Sequence, residues 1–259
     1  MELARAIDLD TCPIGDADYI ARCKAELDEQ GSLLINNFVR PEVIADLKRE
    51  AEEHASQAYY CVQTHTAYLS PPDPEFPSDH PRNRQEVSTK GCITDDQVPE
   101  GSWLRVIYES PEFRGFLCAV LGETDIYNYA DPLSSINVHY YEPGNKLGWH
   151  FDNSSFAVTL MIEAPESGGV FEYIPALRDH AAGNMNFEGV GQALDGNTPG
   201  IALNIRPGTL ALFRGRNSLH RVTPTAGETQ RIQVVLAYNT EPGFSLSEQA
   251  RLTFYGRTH

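Results

Sequence analysis

The chain is short of cations. Its 259 residues carry 20 Lys and Arg against 36 Asp and Glu, a formal charge of −16. Such a surface repels nucleic acid and anionic lipid, so neither is an expected partner, and any anionic ligand needs a local cation. Cysteine is equally sparse. Cys12, Cys23, Cys61, Cys92 and Cys118 are odd in number, scattered and without CxxC spacing. That argues against a disulfide framework or a zinc cluster and for reduced thiols in a cytoplasm, where the sequon at Asn153 would stay unmodified. No apolar run approaches membrane-spanning length, and the acidic start "MELARAIDLDTCPIGDAD" lacks the apolar core of a signal. Repeats and low-complexity tracts are also missing.

What is present is enough apolar residue, 41%, for a sizeable core, and the length favours a single domain over residues 1–259. The first part, to about residue 125, reads as helical support. Asp16 or Asp18 caps a helix with Ile20, Cys23 and Leu27 on one face, ending at Gly31. "SLLINNFV" (32–39) reads as a strand, and Pro41 starts a helix carrying Val43, Ile44, Leu47 and Ala51. Ser110 and Pro111 begin another that Gly122 ends. The proline-rich "SPPDPEFPSDHPRNRQE" (70–86) is long for a connection and is either a disordered loop or a lid. From about 126 to 242, short β-rich runs alternate with Gly and Pro, which predicts a sandwich or barrel with the helices on one sheet; 243–259 is a C-terminal segment. "EGVGQALDGNTPG" (188–200) reads as a loop, since it lacks the Lys-Ser/Thr of a phosphate cradle.

The chemistry lies in "KLGWHFDNSS" (146–155). On a strand, His150 and Asp152 share a face and can present an imidazole and a carboxylate to one point. Alone, such a pair is more often an ordinary hydrogen-bonded one. His220, in "FRGRNSLHRVTPT", offers a third ligand. Two histidines and one carboxylate leave about three positions of an octahedral iron open, whereas zinc more usually takes a tetrahedral set. Arg231 opens the strand "RIQVVLAYN". A guanidinium inside a strand needs a carboxylate, because an unpaired buried charge is costly. Together these residues imply a small dicarboxylate that chelates the metal at one end and meets Arg231 at the other.

With these motifs in hand, "GWHFD", "LHRVTPT" and "TQRIQVVLAY" resemble the Fe(II)/2-oxoglutarate-dependent dioxygenases over roughly residues 130–240. "GWHFDNSSFAVTLMIEAPESGGVFEYIPALR" is similar to the branch holding free-amino-acid hydroxylases and related radical halogenases. The resemblance implies a mainly β fold with flanking N-terminal helices around a double-stranded β-helix core, of the jelly-roll or cupin kind. It implies Fe(II) on His150, Asp152 and His220, 2-oxoglutarate on Arg231, and O2 as oxidant. The expected reaction is hydroxylation of an unactivated C–H of a small polar metabolite, such as a free amino acid, with succinate and CO2 released. The halogenases of the branch have a small residue where Asp152 stands, so hydroxylation rather than halogenation is expected. Members often carry Ser or Thr two residues after the arginine, and here Gln233 stands there; its amide can also serve a carboxylate.

Substrate contacts are expected from Trp149, Asn153, Ser154, Arg82, Arg84 and Tyr255, each with a plain structural alternative. His139 and Tyr141 share a strand face and either look into the barrel or pack. The same iron site can also serve desaturation, cyclisation or epimerisation, and a non-catalytic metal- and ligand-binding barrel is the alternative of another class. A monomer or homodimer acting on a small molecule in the cytoplasm completes the expectation.

Overall fold

The computed structural model describes residues 2–259. The helical face begins with α1 (Leu3–Ala6) and α2 (Ala17–Gln30), followed by β1 (Ser32–Ile35) and α3 (Pro41–His54). Asp16 caps α2, its carboxylate accepting from the Tyr19 N–H at 2.8 Å, and Gly31 ends it at φ 71°. β1 is shorter than the expected 32–39 run. Asn37 turns the chain at φ 54°, a conformation an asparagine tolerates and a strand does not. Next come β2 (Tyr59–Thr66), β3 (Gln85–Ile93), α4 (Trp103–Tyr108) and α5 (Pro111–Leu121), which starts at the Ser110 cap and stops at Gly122 as expected.

Strands then dominate: β4 (Tyr127–Asn128), β5 (Ile136–Tyr141), β6 (Leu147–His150), β7 (Ala157–Glu163), β8 (Ser167–Gly168) and β9 (Phe171–Ile174). After α6 (Phe187–Leu194) follow β10 (Ile201–Leu203), β11 (Leu210–Phe213), β12 (Leu219–Val222), β13 (Thr225–Ala226), β14 (Arg231–Leu236) and β15 (Tyr238–Asn239), before α7 (Glu248–Tyr255). Thus 188–200 is not a plain loop, as expected above. Asn186 caps α6 through the Gly189 N–H, and Gly191 lets it approach Pro81, where a Cβ would come within 2.9 Å of the ring.

A seven-stranded antiparallel sheet runs β1-β11-β7-β14-β5-β3-β2, and a four-stranded sheet runs β10-β9-β12-β6. The larger sheet recruits β1, β2 and β3 from the supposedly helical first part. Its alternation divides the protein. Ile136, Val138 and Tyr140 of β5 and Ile232, Val234 and Leu236 of β14 join the core under the helices. Between them His139, Tyr141, Gln233 and Val235 turn the other way and line a cavity of about 260 Å³ between the sheets. One face of the large sheet is therefore packed under helices and the other is kept for chemistry.

The 70–86 segment is ordered. Asn83 is buried and ties it, donating to the Asp73 and Phe76 carbonyls at 2.8 Å and accepting from the Asp73 N–H at 2.7 Å. Phe76 stacks on His80 at 4.4 Å between ring centroids, and both rings meet Phe187 of α6. The segment is a cover folded onto α6 and the Tyr68–Phe151 pair, directly behind the strand that carries His150.

Candidate metal centre

His150 ends β6 and His220 lies on β12, and the two strands pair with these residues in register. Adjacent antiparallel strands therefore set the two imidazoles side by side, with ring centroids 4.2 Å apart. Asp152 stands beyond the end of β6, so the strand alternation expected for His150 and Asp152 does not place it. Two backbone bonds to distant segments do: the Phe151 N–H donates to the Ala67 carbonyl at 2.8 Å and the Asp152 N–H to the Gly215 carbonyl at 3.1 Å. The result is a cluster. Asp152 Oδ1 lies 3.5 Å from His220 Nε2 and 3.8 Å from His150 Nε2, and one ligand atom from each residue falls within 4.8 Å of the others.

The imidazoles are aimed. His150 Nδ1–H donates to the Gly148 carbonyl at 2.8 Å and His220 Nδ1–H to the Ser218 carbonyl at 3.0 Å. A carbonyl can only accept, so each ring keeps its proton on Nδ1 and turns the Nε2 lone pair inward. Burial, and then His220, push His150 down to about 3. Burial works against charge on Asp152, but His220 and His150 outweigh it and hold the carboxyl below its usual range. Near neutral pH His150 is thus a neutral imidazole and Asp152 a carboxylate, with the His220 ring beside them. That donor set on one face leaves positions of an octahedral ion free.

A stability consequence follows. His139 is also held well below its ordinary value by burial, Lys90 and Arg231. Both histidines take up protons more readily unfolded, near pH 6.5, than folded. Their contribution is therefore complete above that pH and is lost as pH falls below it. For the metal-free protein we predict stability falling from pH 6.5 to 5 by up to about 1.4 kcal/mol per pH unit for each histidine. Urea unfolding at stepped pH checks this, and a flat midpoint across the window would contradict it.

Gly215 makes the carboxylate's position possible. A Cβ there would stand 1.8 Å from Asp152 Oδ2 and 2.5 Å from its Cγ. Gly215→Ala is expected to evict the carboxylate and weaken metal binding by about ten-fold or more, by analogy with losses of other ligand-orienting contacts. Calorimetric titration with Co(II) measures it. Adding Asp152→Gly to Gly215→Ala should cost no further affinity than Asp152→Gly alone, because the methyl then meets nothing.

Arg231 is 0% exposed and lies over the Tyr141 ring, its Cζ 4.9 Å from the centroid. Nη2 donates to Gln233 Oε1 at 2.5 Å, while Nε and Nη1, both buried, have no partner in the protein. Two orphaned guanidinium N–H groups fit a carboxylate, as the buried charge requires. Gln233 uses its oxygen on Arg231, which leaves its amide N–H groups for the cavity it lines. Arg231 itself borders a second hollow of about 270 Å³, and Phe171, Leu203 and Ile205 line both.

Of the expected substrate contacts, Ser154 lines the metal cavity, as do His139 and Tyr141. Four others are engaged elsewhere. Trp149 is 6% exposed in the apolar cluster behind β6, under Arg221 at 4.5 Å. Asn153 is exposed and its carbonyl accepts from Arg216. Arg84 is bound to Asp195 and to the Leu194 carbonyl of α6. Tyr255 is buried with its hydroxyl on Asn137 Oδ1 at 2.9 Å, closing the barrel under α7. Arg82 sits over Tyr68 at 5.8 Å, outside the cavity lining, with Nη1 buried and unpartnered. Sequence reasoning missed Lys90, which lines the cavity, Gly215, and His65, whose ring stands 5.8 Å from that of His150. The alternation in "EVSTKGCI" was the available signal for Lys90.

Residues 15–251 match the model of a family described as Halogenase D. No curated protein matches the chain. Among solved structures, an oxidoreductase of the 2OG-Fe(II) oxygenase family from Burkholderia pseudomallei is 14% identical. It has a TM-score of 0.54, over 87% of this chain and 93% of that one. The epimerase SnoN from nogalamycin biosynthesis, solved with Fe3+ and alpha ketoglutarate, is 12% identical. Its TM-score is 0.59, over 86% and 84% of the two chains. The carbocyclase SnoK from the same pathway is 13% identical, with a TM-score of 0.58 over 89% and 90%. The fold is that of the 2OG-Fe(II) oxygenases.

Proposed function

We propose, from the premise that this chain belongs to the Halogenase D family, that it is an Fe(II)- and 2-oxoglutarate-dependent hydroxylase of a small polar metabolite, a free amino acid or a derivative of one. The observation that carries hydroxylation over halogenation is the Asp152 carboxylate, 3.5 Å from His220 Nε2 on the same face as both imidazoles. With an oxygen donor there, no ligand position is left over for a halide.

When bound, iron would supply O2 activation coupled to oxidative decarboxylation of 2-oxoglutarate to succinate and CO2. The protein's part follows from its own residues. His150, Asp152 and His220 would hold the metal in a face whose tautomers are already set by the Gly148 and Ser218 carbonyls. Arg231 would take the distal carboxylate of the co-substrate with Nε and Nη1. Phe156, Phe171 and Phe213 line the cavity with apolar surface, which excludes water from the reacting carbon. Ser154 and Tyr129, on the same lining, offer hydroxyls to a polar substrate.

The test is a screen of amino acids by succinate release, with chloride present and the organic product weighed. A product gaining one oxygen supports the proposal. Replacement of hydrogen by chlorine would overturn it, as would the loss of two hydrogens or an unchanged mass with inverted stereochemistry.

A further inference from the structure

The cavity holds a cation that neither the metal face nor Arg231 explains. Lys90 of β3 points into it, with Nζ 3.2 Å from His139 Nε2 and 3.4 Å from His139 Nδ1. Of the four lysines, Lys24 and Lys48 meet carboxylates, and Lys90 is in no ion pair among the described residues. His139 cannot balance it, since a neutral imidazole offers a lone pair and no charge. The thiols of Cys61 and Cys92, also within electrostatic reach, are both pushed up by burial and stay uncharged. The one acid on the cavity lining is Asp152, which is committed to His150 and His220. A protein of net charge −16 therefore keeps an unbalanced ammonium facing its metal ligands.

Strand pairing explains the placement. Cys92 of β3 is opposite His139 of β5, which is opposite Gln233 of β14. Lys90 lies two residues from Cys92, so it shares the interior face with His139, Tyr141, Gln233 and Arg231. β3 is held against the ligand strand as well: the Gly148 N–H donates to Ser88 Oγ at 3.0 Å and the Thr89 N–H to the Lys146 carbonyl at 2.8 Å. The ammonium is thus built into a rigid wall of the site.

We propose that Lys90, oriented by His139, is a second carboxylate anchor in the metal cavity, separate from Arg231. One ammonium supplies one positive charge, which matches a carboxylate better than a phosphate dianion. The carboxylate belongs either to 2-oxoglutarate or to an amino-acid substrate. This inference rests on the proposed function for the names of those ligands and on the geometry alone for the anchor.

Two arms separate the sources. In the first, Fe(II)-loaded protein is titrated anaerobically with 2-oxoglutarate, comparing wild type, Lys90→Met and Lys90→Arg. In the second, the common L-amino acids are added to the saturated complexes. A loss of about ten-fold or more in 2-oxoglutarate affinity for Lys90→Met, restored in Lys90→Arg, assigns the co-substrate. An unchanged first arm with a lost amino-acid response assigns the substrate. Lys90→Met behaving as wild type in both arms overturns the anchor. Thermal melts with and without glutarate, on metal-free protein, establish that the variants fold and read the anchor without iron. If wild type shows no 2-oxoglutarate binding, the proposed function fails, and protection by glutarate that depends on Lys90 still decides the anchor.

Discussion

Arg231→Ala should bind 2-oxoglutarate at least about a hundred-fold more weakly than wild type while keeping its affinity for Fe(II). The guanidinium is 0% exposed, and two of its nitrogens have no protein partner. In the free protein that arrangement is costly, since a buried N–H without an acceptor forfeits its hydration. A carboxylate that satisfies both nitrogens recovers this loss, and truncating one side of such a buried pair typically costs about 2–5 kcal/mol. About 3 kcal/mol corresponds to roughly a hundred-fold in Kd. Because Arg231 is not among the clustered ligands, Co(II) titration of the variant should match wild type. A zinc or O2-only enzyme of similar shape would have no use for the residue. Full activity and unchanged 2-oxoglutarate affinity in Arg231→Ala would remove the co-substrate from the account.

Asp152→Gly should abolish hydroxylation. The carboxylate is the charged member of the face, and it is held in its ionised form despite burial by the groups around it, His220, His150 and Arg178. Its loss leaves the face with two imidazole donors and no anionic one, and metal affinity should fall by more than about a hundred-fold, beyond the range seen for losses of outer contacts. The vacated space opens onto Gly215, and a halide could then occupy the position that the carboxylate fills. Product analysis at saturating iron and chloride checks both points. Hydroxylation at the wild-type rate would sink the assignment of Asp152 as a ligand. The two variants fail differently: one loses co-substrate and keeps metal, the other loses metal.

Local signals in the sequence carried much of this. Ser110 and Gly122 marked one helix to the residue, and Gly31 the end of another whose cap lay at Asp16 or Asp18, because capping is chemistry within a few positions. His150, Asp152, His220 and Arg231 were legible because their residue types are odd for the places they occupy. β2 and β3 were not. "YYCVQTHT" and "EVSTKGCI" mix polar and apolar residues, and which face is interior depends on β5 and β6, far along the chain. α6 was read as a loop because 188–200 lacks the Lys-Ser/Thr of a phosphate cradle, yet its glycines serve a helix: Gly191 is small to admit Pro81 and Gly189 to admit the Asn186 cap. The role of Gly215 is equally non-local, since its missing side chain matters only to Asp152. The substrate contacts fared worst. Arg84, Trp149 and Tyr255 have the chemistry of ligand contacts, but Asp195, Arg221 and Asn137 take it up.

The most direct measurement of the central claim is anaerobic addition of 2-oxoglutarate to the Fe(II)-loaded protein, followed by visible absorption. The account predicts a weak metal-to-ligand charge-transfer band that saturates in wild type, is absent from Asp152→Gly, and in Arg231→Ala appears only at far higher 2-oxoglutarate. No band in wild type, or the same titration curve in all three proteins, would contradict it.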